Sequence, residues 1–277
     1  MQSLGAAIGG GVHGDDPATF EAPFVGQVVQ QVGKLFGRGR YFGLKVRGLE
    51  RIPPGPVLLV SNHSGGTTIP DVWGLAIAWY RHFGTARPLY VLAHELLFAT
   101  GVTGRFFERC GVLRATPAVA REVLLEHRRD LLVLPGGDQD TWRPWTQRYQ
   151  VRFGGRTGYA KLALEAQVPI VPVAHAGAHE TLMVLASGAR LARWLGLRRF
   201  ARAEVWPVHL SLPWGLTFGP LPHFPVPANF RYLIGEAIGP TAPLPFDAQD
   251  VVSLDRQVRE AVQTQLDALR LEADQPK

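Results

Sequence analysis

Short apolar runs alternate with stretches of helical periodicity through the middle of the chain. The runs predict buried strands at 56–61, 88–93, 131–134 and 169–173, with a short extended piece at 111–114. Apolar residues at helical spacing between them predict helices from 70 onward and at 96–107, 117–128 and 157–166. Strands that alternate with helices of about ten residues are typical of a parallel sheet covered by helices. The expected fold class is therefore α/β, a mainly parallel mixed sheet flanked by helices.

The two ends of the chain carry patterns of their own. Residues 1–21 are Gly-rich and aperiodic, which predicts a flexible tail before a single folded domain over 22–277. Large apolar residues return at helical spacing over 22–40 and predict an amphipathic helix with basic residues at its end. This helix suits either the protein core or a membrane surface. Residues 250–272 predict an ordinary amphipathic helix that closes the domain.

The segment 181–240 differs in amino-acid composition from the rest of the chain. Residues 185–200 mix leucine and tryptophan with arginine, and the stretch from Val205 to Phe230 has six prolines but no Asp, Glu, Lys or Arg. Its prolines exclude a single spanning helix. Basic helices with tryptophan are favoured at a lipid–water interface, and a solvated helix beside a β-rich extension of the core fits equally. The segment is predicted to be a lipid-facing β extension in peripheral contact with a membrane.

Composition narrows the classes of function. Hydrophobic residues make up 46% and charged residues 19% of the chain, which excludes wholesale disorder. The net charge is +6, and with only four lysines, 25 of the 29 basic residues are arginine. Arginine binds phosphate through paired hydrogen bonds, although coding bias gives the same excess. The basic residues are dispersed and no nucleic-acid motif is present, so a nucleic-acid partner is not expected.

Cysteine content and the N-terminus bear on location. The single cysteine, Cys110, excludes a disulfide framework and a cysteine-based zinc site. The first twenty residues lack the basic start and apolar run of a secretory signal. A cytoplasmic location is therefore expected.

The sharpest chemical feature follows the first predicted strand, where Asn62 and His63 open a polar loop. Open α/β sheets place ligands at the carboxyl ends of their strands. Histidine can accept a proton near neutral pH, and a carboxylate such as Asp71 can fix its tautomer and stabilise its cation. Gly65 and Gly66 leave backbone N–H groups open to close approach by a substrate. A lone loop histidine is usually inert, and these neighbours strengthen the case for a general base without deciding between the two.

Four segments in this order resemble the sequence blocks of the glycerolipid acyltransferase superfamily. They are Asn62-His63 with Asp71, Phe106–Gly111 with Arg109, Leu134-Pro135-Gly136-Gly137, and Val168–Val173. These catalytic blocks span about residues 56–180. The Asn-His-Ser-Gly-Gly stretch, together with Pro-Gly-Gly and Trp-Arg-Pro, resembles a bacterial branch that is also similar to diacylglycerol acyltransferases. Four blocks in the family's order are far more specific than any one of them.

The resemblance implies an O-acyltransferase that moves a fatty acyl group from acyl-CoA, or from an acyl carrier protein, to a lipid hydroxyl. The acceptor would be a lysophospholipid, a glycerolipid or a long-chain alcohol. His63 would act as the general base and Asp71 would orient its ring. No cofactor or metal is implied beyond the acyl donor as co-substrate. The expected partners are the donor, the lipid acceptor and the inner face of the cell membrane, where the protein would sit peripherally.

The remaining expected site residues surround the dyad. Backbone N–H groups at Gly65–Gly66 or at Gly136–Gly137 are candidates to hold the developing oxyanion. Arg109 and Arg143 are assigned to phosphate groups on the acceptor or on coenzyme A. The substrate-binding set is Ser64, Gly65, Gly66, Arg109, Pro135, Gly136, Gly137, Asp138 and Arg143.

Two departures from the family pattern matter. Seven residues separate His63 from Asp71, whereas the family spacing is four, so the dyad requires a looped-out insert. Asp138 and Asp140 are the alternative acids. The third block usually carries glutamate where Gly136 stands, which favours a neutral acceptor over a phosphorylated one. The alternative functions are a thioesterase or lipase that uses the same dyad with water, and a non-catalytic lipid-binding protein.

Other reactive residues are weighed against plainer explanations. Cys110 lies in an apolar context, which favours an inert buried thiol over a nucleophile. His175 and His179 have a metal-ligand spacing with Glu180 beside them, but no third ligand is obvious and a metal site is disfavoured. Ser64 lacks the Gly-x-Ser-x-Gly frame of a hydrolase elbow, which argues against a serine esterase.

Overall fold

The short apolar runs form the middle of a seven-stranded sheet. The computed structural model describes residues 13–197, 203–240 and 242–274. Its strands are β1 (Phe42–Arg47), β2 (Leu58–Ser61), β3 (Leu89–Ala93), β4 (Val112–Arg114), β5 (Asp130–Val133), β6 (Ile170–Ala176), β7 (Met183–Ala186), β8 (Val208–Ser211), β9 (Gly215–Phe218) and β10 (Ala228–Ile234). The order in the large sheet is β1-β10-β6-β2-β5-β3-β4, and β7, β8 and β9 form a separate antiparallel sheet.

Strand directions confirm the predicted fold class. Strands β6, β2, β5, β3 and β4 are parallel to one another. Strand β10 is antiparallel to β6, and the edge strand β1 is parallel to β10. The sheet is therefore mixed but mainly parallel, and the carboxyl ends of β2, β5 and β6 meet at one edge.

Helices cover both faces of this sheet. They are α1 (Ala22–Val32), α2 (Pro70–Phe83), α3 (Gly101–Arg109), α4 (Pro117–Arg121), α5 (Gly137–Thr141), α6 (Gly158–Ala166), α7 (Ala189–Trp194) and α8 (Ala248–Asp274). Helix α4 continues as a π turn over Glu122–Glu126. No helix in the described ranges is long and apolar enough to cross a membrane.

Strand β2 shows how the two cores divide. Leu58 and Val60 pack in a cluster with α4, α6 and α8, whereas Val57 and Leu59 pack in a second cluster with α1 and α2. Successive side chains of a strand point to opposite faces, so a strand between two helical layers is apolar at every position. This is why the central strands read as unbroken apolar runs.

The N-terminal helix is shorter than the predicted 22–40. It ends at Val32 and passes through a 3₁₀ turn, Gly33–Leu35, into a bridge between Phe36 and Phe42. Phe36 is buried with its ring 4.9 Å from that of Phe42, so packing of this aromatic pair draws the chain out of the helix.

Part of the predicted tail is packed against the fold. The ring of His13 lies 2.7 Å from the Glu108 carboxylate on α3, and Asp15 pairs with Arg114 on β4. The tail prediction therefore differs from the structure over 13–21, and residues 1–12 lie outside the described residues.

The predicted β extension over 181–240 contains β7, β8, β9 and the short helix α7, but β10 at its end belongs to the central sheet, where it lies between β1 and β6. Within 185–200, α7 spans Ala189–Trp194, and residues before it pair with β8. Residues 198–202 lie outside the described part of the chain. At the other end of the fold, α8 spans Ala248–Asp274 and buries one face, close to the predicted bounds.

Candidate active site

The loop after β2 is anchored by a side-chain pair. The Asn62 amide donates to the His175 carbonyl and accepts from the His175 N–H, both at 2.9 Å. Asn62 is fully buried, and its amide extends the pairing of β2 with β6 by one step beyond Ser61. The next residue, His63, thereby leaves the sheet at a fixed point on its carboxyl edge.

His63 and Asp71 meet despite the long spacing. Asp71 Oδ2 lies 2.6 Å from His63 Nδ1 and accepts from the Ser64 N–H at 3.0 Å. Asp71 occupies the first turn of α2, where the helix dipole stabilises a carboxylate. The Tyr232 hydroxyl on β10 donates to the Asp71 carbonyl at 2.7 Å and holds that turn in place.

The His63 ring presents its second nitrogen outward. The side chain is 13% exposed, against 1% for Asp71. Within the described ranges, no hydrogen bond to His63 Nε2 is found. Nε2 is thus the atom available to a substrate hydroxyl, with Nδ1 held by the carboxylate.

The electrostatics of the pair favour a strong base. Burial by itself lowers the pKa of His63, but the Asp71 charge and hydrogen bond outweigh it and raise the pKa above its ordinary value. Burial likewise raises the pKa of Asp71, and the His63 interactions outweigh it and lower that pKa. The pair therefore stabilises an imidazolium beside a carboxylate.

The extra residues of the insert fold into a compact turn. Gly65 and Gly66 have φ of 101° and 67°, and a 3₁₀ turn follows over Gly66–Thr68. A Cβ on Gly65 would lie 2.6 Å from the Pro70 ring, and one on Gly66 would lie 2.6 Å from Cε1 of His223. Both positions require glycine, since they combine a left-handed backbone with close packing.

A buried ion pair clamps the backbone of His63. Asp140 accepts from the His63 N–H at 2.5 Å, and Arg143 donates to the His63 carbonyl at 2.9 Å. Asp140 and Arg143 also pair with each other, and both side chains are almost fully buried. Asp71 is therefore the partner of the ring, whereas Asp140 holds the peptide.

The sequence predicts that Arg143 binds a phosphate group, but the structure places its side chain among protein groups. Besides Asp140 and His63, its guanidinium donates to the Arg148 carbonyl at 3.0 Å. With 1% of its side chain exposed, it has no face toward solvent. Its role in the structure is to position the His63 loop.

Arg109 is also engaged within the protein. It pairs with Glu21 at 2.8 Å and lies 3.7 Å over the Phe24 ring, which joins α3 to α1. Arg114, at the carboxyl end of β4 and on the same sheet edge as His63, is likewise paired, with Asp15.

The Pro135-Gly136-Gly137 loop follows β5, the strand next to β2. Arg156 Nη1 donates to the Pro135 and Gly136 carbonyls, both at 2.8 Å. A Cβ on Gly136 would lie 2.2 Å from the Arg152 carbonyl oxygen, so close packing requires this glycine. The Gly137 N–H donates to the Leu134 carbonyl at 3.1 Å and is not free for a substrate.

Asp138 is bound within the same loop region. Its carboxylate accepts from the Glu204 N–H at 2.6 Å and lies 3.6 Å from Arg156. It joins the loop to the β extension and makes no contact with the His63 ring in the described residues.

A second histidine lies behind the dyad. His175 Nε2 is 2.8 Å from Ser64 Oγ and 3.6 Å from Asp71 Oδ2. Burial lowers the pKa of His175 to about 4, so this ring is neutral at physiological pH. Ser64 is itself buried, which removes it as a nucleophile and makes it a support of the loop.

His179 forms a hydrogen bond to the backbone and is not arranged with His175 to bind a metal ion. Its Nε2 lies 3.0 Å from the Arg143 carbonyl oxygen. The described residues hold no group of three or more His, Cys, Asp or Glu that is arranged for a metal ion. Burial raises the pKa of the Cys110 thiol to about 12, which fits an inert thiol.

The β extension covers the insert with polar side chains. The Thr67 hydroxyl donates to the Leu221 carbonyl at 3.2 Å, and the Thr68 hydroxyl lies 3.3 Å from His223 Nε2. The His209 ring lies 5.0 Å from that of Trp142. The loop between His63 and Asp71 is therefore covered by the segment that follows β9.

Comparisons with known proteins agree with this geometry. Residues 43–176, just under half of the chain, match the family model described as Acyltransferase. An uncharacterized protein of Mycobacterium tuberculosis is 28% identical over 278 residues, which covers 96% of this chain and 74% of that protein.

A vertebrate relative and a solved structure extend the comparison. The "DGAT1/2-independent enzyme synthesizing storage lipids" of Gallus gallus is 28% identical over 212 residues, covering 76% of this chain and 55% of that protein. The human protein of that name is 27% identical, and the match covers 82% of this chain and 62% of that protein.

The crystal structure of the 1-acyl-sn-glycerophosphate acyltransferase PlsC from Thermotoga maritima matches with a TM-score of 0.52 at 16% identity. It covers 92% of this chain and 80% of the other, and it shows a shared fold. The matched segment and the relatives support a place for this chain in the glycerolipid acyltransferase superfamily, and the solved structure shows the shared fold.

Proposed function

We propose that this protein is a lipid O-acyltransferase in which His63 is the general base. The observation that carries the proposal is the 2.6 Å contact of His63 Nδ1 with Asp71, which leaves Nε2 facing outward. The acceptor hydroxyl would give its proton to Nε2 as its oxygen attacks the thioester carbonyl carbon. When the C–S bond breaks, the imidazolium would return the proton to the leaving thiolate. The products are an ester and a free thiol, with no covalent enzyme intermediate.

The dyad supports this step energetically. A positioned base contributes about 10²–10⁴-fold to such reactions. The imidazolium forms next to a buried carboxylate, and the Asp140–Arg143 clamp holds the histidine backbone from both sides. The ring therefore needs little rearrangement as charge develops.

For the oxyanion, we favour Gly65 and Gly66 over Gly136 and Gly137. Within the described ranges, the N–H groups of Gly65 and Gly66 both lack a hydrogen-bond acceptor, whereas in the other pair only Gly136 lacks one and the Gly137 N–H is bound to Leu134. Free backbone donors beside the base are the groups that stabilise a tetrahedral intermediate.

We further propose a neutral acceptor, such as a diacylglycerol, a monoacylglycerol or a long-chain alcohol. Arg109 and Arg143 are both occupied by protein groups, and Gly136 stands where the family usually has glutamate. Relatives named for the synthesis of storage lipids support the same class. The donor is a thioester of coenzyme A or of an acyl carrier protein, used at the inner face of the cell membrane.

Thiol release from palmitoyl-CoA, or from the palmitoyl carrier protein, tests the proposal. Lysophosphatidic acid, monoacylglycerol, diacylglycerol and a long-chain alcohol are offered in turn to wild type and to His63→Ala. Acceptor-dependent release that is lost in the variant is the expected result, strongest with a neutral acceptor. Acceptor-independent release of free fatty acid would replace the proposal with a thioesterase that uses the same dyad. No release from folded protein with either donor would favour the non-catalytic lipid-binding alternative.

A further inference from the structure

The three-stranded sheet carries most of its apolar side chains on the outside; on its inner face, Val184 is the apolar exception and is buried in a cluster with Trp142, Leu182 and Val205. Met183, Leu210 and Leu216 are exposed on its outer face, whereas His209 and Thr217 are buried on its inner face. Antiparallel sheets in water show the reverse alternation, with polar residues outward. The inverted pattern indicates that something apolar covers the outer face.

The apolar side chains form one continuous surface. The strand register places Met183 opposite Leu210 and Leu210 opposite Leu216, so these residues form a row across all three strands. We call the outer face the surface formed by Met183, Leu185, Leu210, Leu216, Phe218 and Phe224, which are between 41% and 69% exposed. Contiguous apolar surface of this kind marks an interaction site on a soluble protein.

The inner face cannot exchange places with the outer one. His209 Nε2 bonds to the Gly219 carbonyl at 3.0 Å and its ring packs on Trp142, while the adjoining His223 lies against the Thr68 hydroxyl. A one-residue slip would turn these polar side chains outward and would break those contacts. The occupant of the outer face therefore lies one sheet thickness from the catalytic loop.

Cationic segments adjoin the outer face, one through the chain after β7 and one through a hydrogen bond of Tyr41. Helix α7, which follows β7, presents Arg190 and Arg193 together with Trp194, which is 81% exposed. The Tyr41 hydroxyl bonds to the Pro225 carbonyl at 2.9 Å, next to Phe224 in the chain.

Through Tyr41, the residues that follow α1, 33–41, lie beside this surface. That segment borders a depression of about 440 Å³ whose lining includes Lys34, Arg38, Arg40 and Arg81 and no acidic residue. An apolar centre with tryptophan and a cationic border is the arrangement that anionic bilayers attract.

We propose that the outer face inserts into the headgroup–acyl boundary of an anionic bilayer, with the flanking cations on the lipid phosphates. The inference rests on the proposed function only in taking the acceptor to be a membrane lipid. Insertion there would hold the insert and the His63 ring at the membrane surface.

Vesicle flotation tests this surface with a matched pair of variants. The test variant is Leu216→Ser with Phe218→Ser, and the control is Val102→Ser with Leu271→Ser, two apolar residues on α3 and α8 that are more exposed than the test pair. Vesicles are phosphatidylcholine with and without 30% phosphatidylglycerol. On anionic vesicles, binding should weaken about tenfold per side chain in the test variant, since each loses apolar area from the bilayer, and should be unchanged in the control.

Two further measurements separate this inference from the proposed function. In a vesicle-free assay with short-chain, water-soluble donor and acceptor, the test variant should match wild type. His63→Ala should lose transfer yet float normally, so failure of transfer and failure of binding are read independently.

Defined outcomes would overturn the bilayer as the occupant. One is equal flotation of the test variant and wild type, and another is no flotation of wild type with anionic vesicles. Analytical ultracentrifugation supplies a third: a wild-type dimer that the test substitutions dissociate would assign the outer face to a second copy of the chain. A blue shift of Trp214 fluorescence on vesicle addition, absent in Trp214→Phe, would support insertion, because this exposed indole lies in the β8–β9 turn.

Discussion

Replacing Asp71 with asparagine tests the base assignment most directly. The amide keeps the size of the carboxylate, and Asp71 Oδ1 has no hydrogen-bond partner among the described residues, so an NH₂ group there breaks no bond. Two charges about 4 Å apart at an effective dielectric constant of about 20 interact by about 4 kcal/mol. The pair is almost fully buried, so solvent screens it little. Because the amide can still accept from His63, we expect kcat/KM to fall about 10²–10³-fold, measured by acceptor-dependent thiol release.

The pH profile of the same variant separates chemistry from structure. Transfer needs the neutral imidazole, so the rate rises with pH through the pKa of His63. Asp71→Asn removes the charge that raises this pKa, while burial, which lowers it, remains. The acidic limb of the kcat/KM profile should therefore move to lower pH as the maximum falls. A lower rate with an unmoved limb would show that Asp71 acts by packing alone, and a rate within threefold of wild type would refute the dyad.

Three further predictions concern the loop, the clamp and the thiol. Arg143→Met leaves Asp140 as an unpaired buried charge, so urea unfolding should show a loss of about 3–5 kcal/mol, and a loss below 1 kcal/mol would contradict the clamp. Gly66→Ala forces a side chain at φ 67° against His223, so transfer should fall at least tenfold while the circular dichroism spectrum is retained; full activity would show that the loop adapts. Modification of Cys110 by N-ethylmaleimide at pH 7.5 should be slow, because its pKa is raised to about 12, and rapid inactivation with its labelling would refute the inert-thiol assignment.

The strands that the sequence reveals are those buried on both faces. Strands β2, β5 and β6 lie between helical layers, so all their positions are apolar and the runs are plain. Strands β1 and β10 were not predicted, because residues such as Lys45 and Arg231 interrupt their apolar positions and β1 lies at the sheet edge. Their pairing depends on contacts across most of the chain, which local periodicity does not contain.

The site divides in the same way between local and distant information. His63, Asp71 and the two glycines lie within nine residues, and their types already suggest a base, an orienting acid and a tight turn. The clamp joins His63 to Asp140 and Arg143, which lie 77 and 80 positions later in the chain. The sequence does not distinguish a buried arginine from the other 24. The three-residue spacing of Asp140 and Arg143, directly after the Pro-Gly-Gly block, was the local sign available.

The loop between His63 and Asp71 and the β extension are connected by hydrogen bonds. The Gly65–Thr68 loop bonds to Leu221 and His223 of the extension. The His223 ring lies 6.2 Å from that of His209 on the inner face of the small sheet. The loop is thus linked to the inner face through the segment that follows β9. The contacts that stabilise the base loop therefore also help to orient the sheet whose outer face we propose to meet lipid.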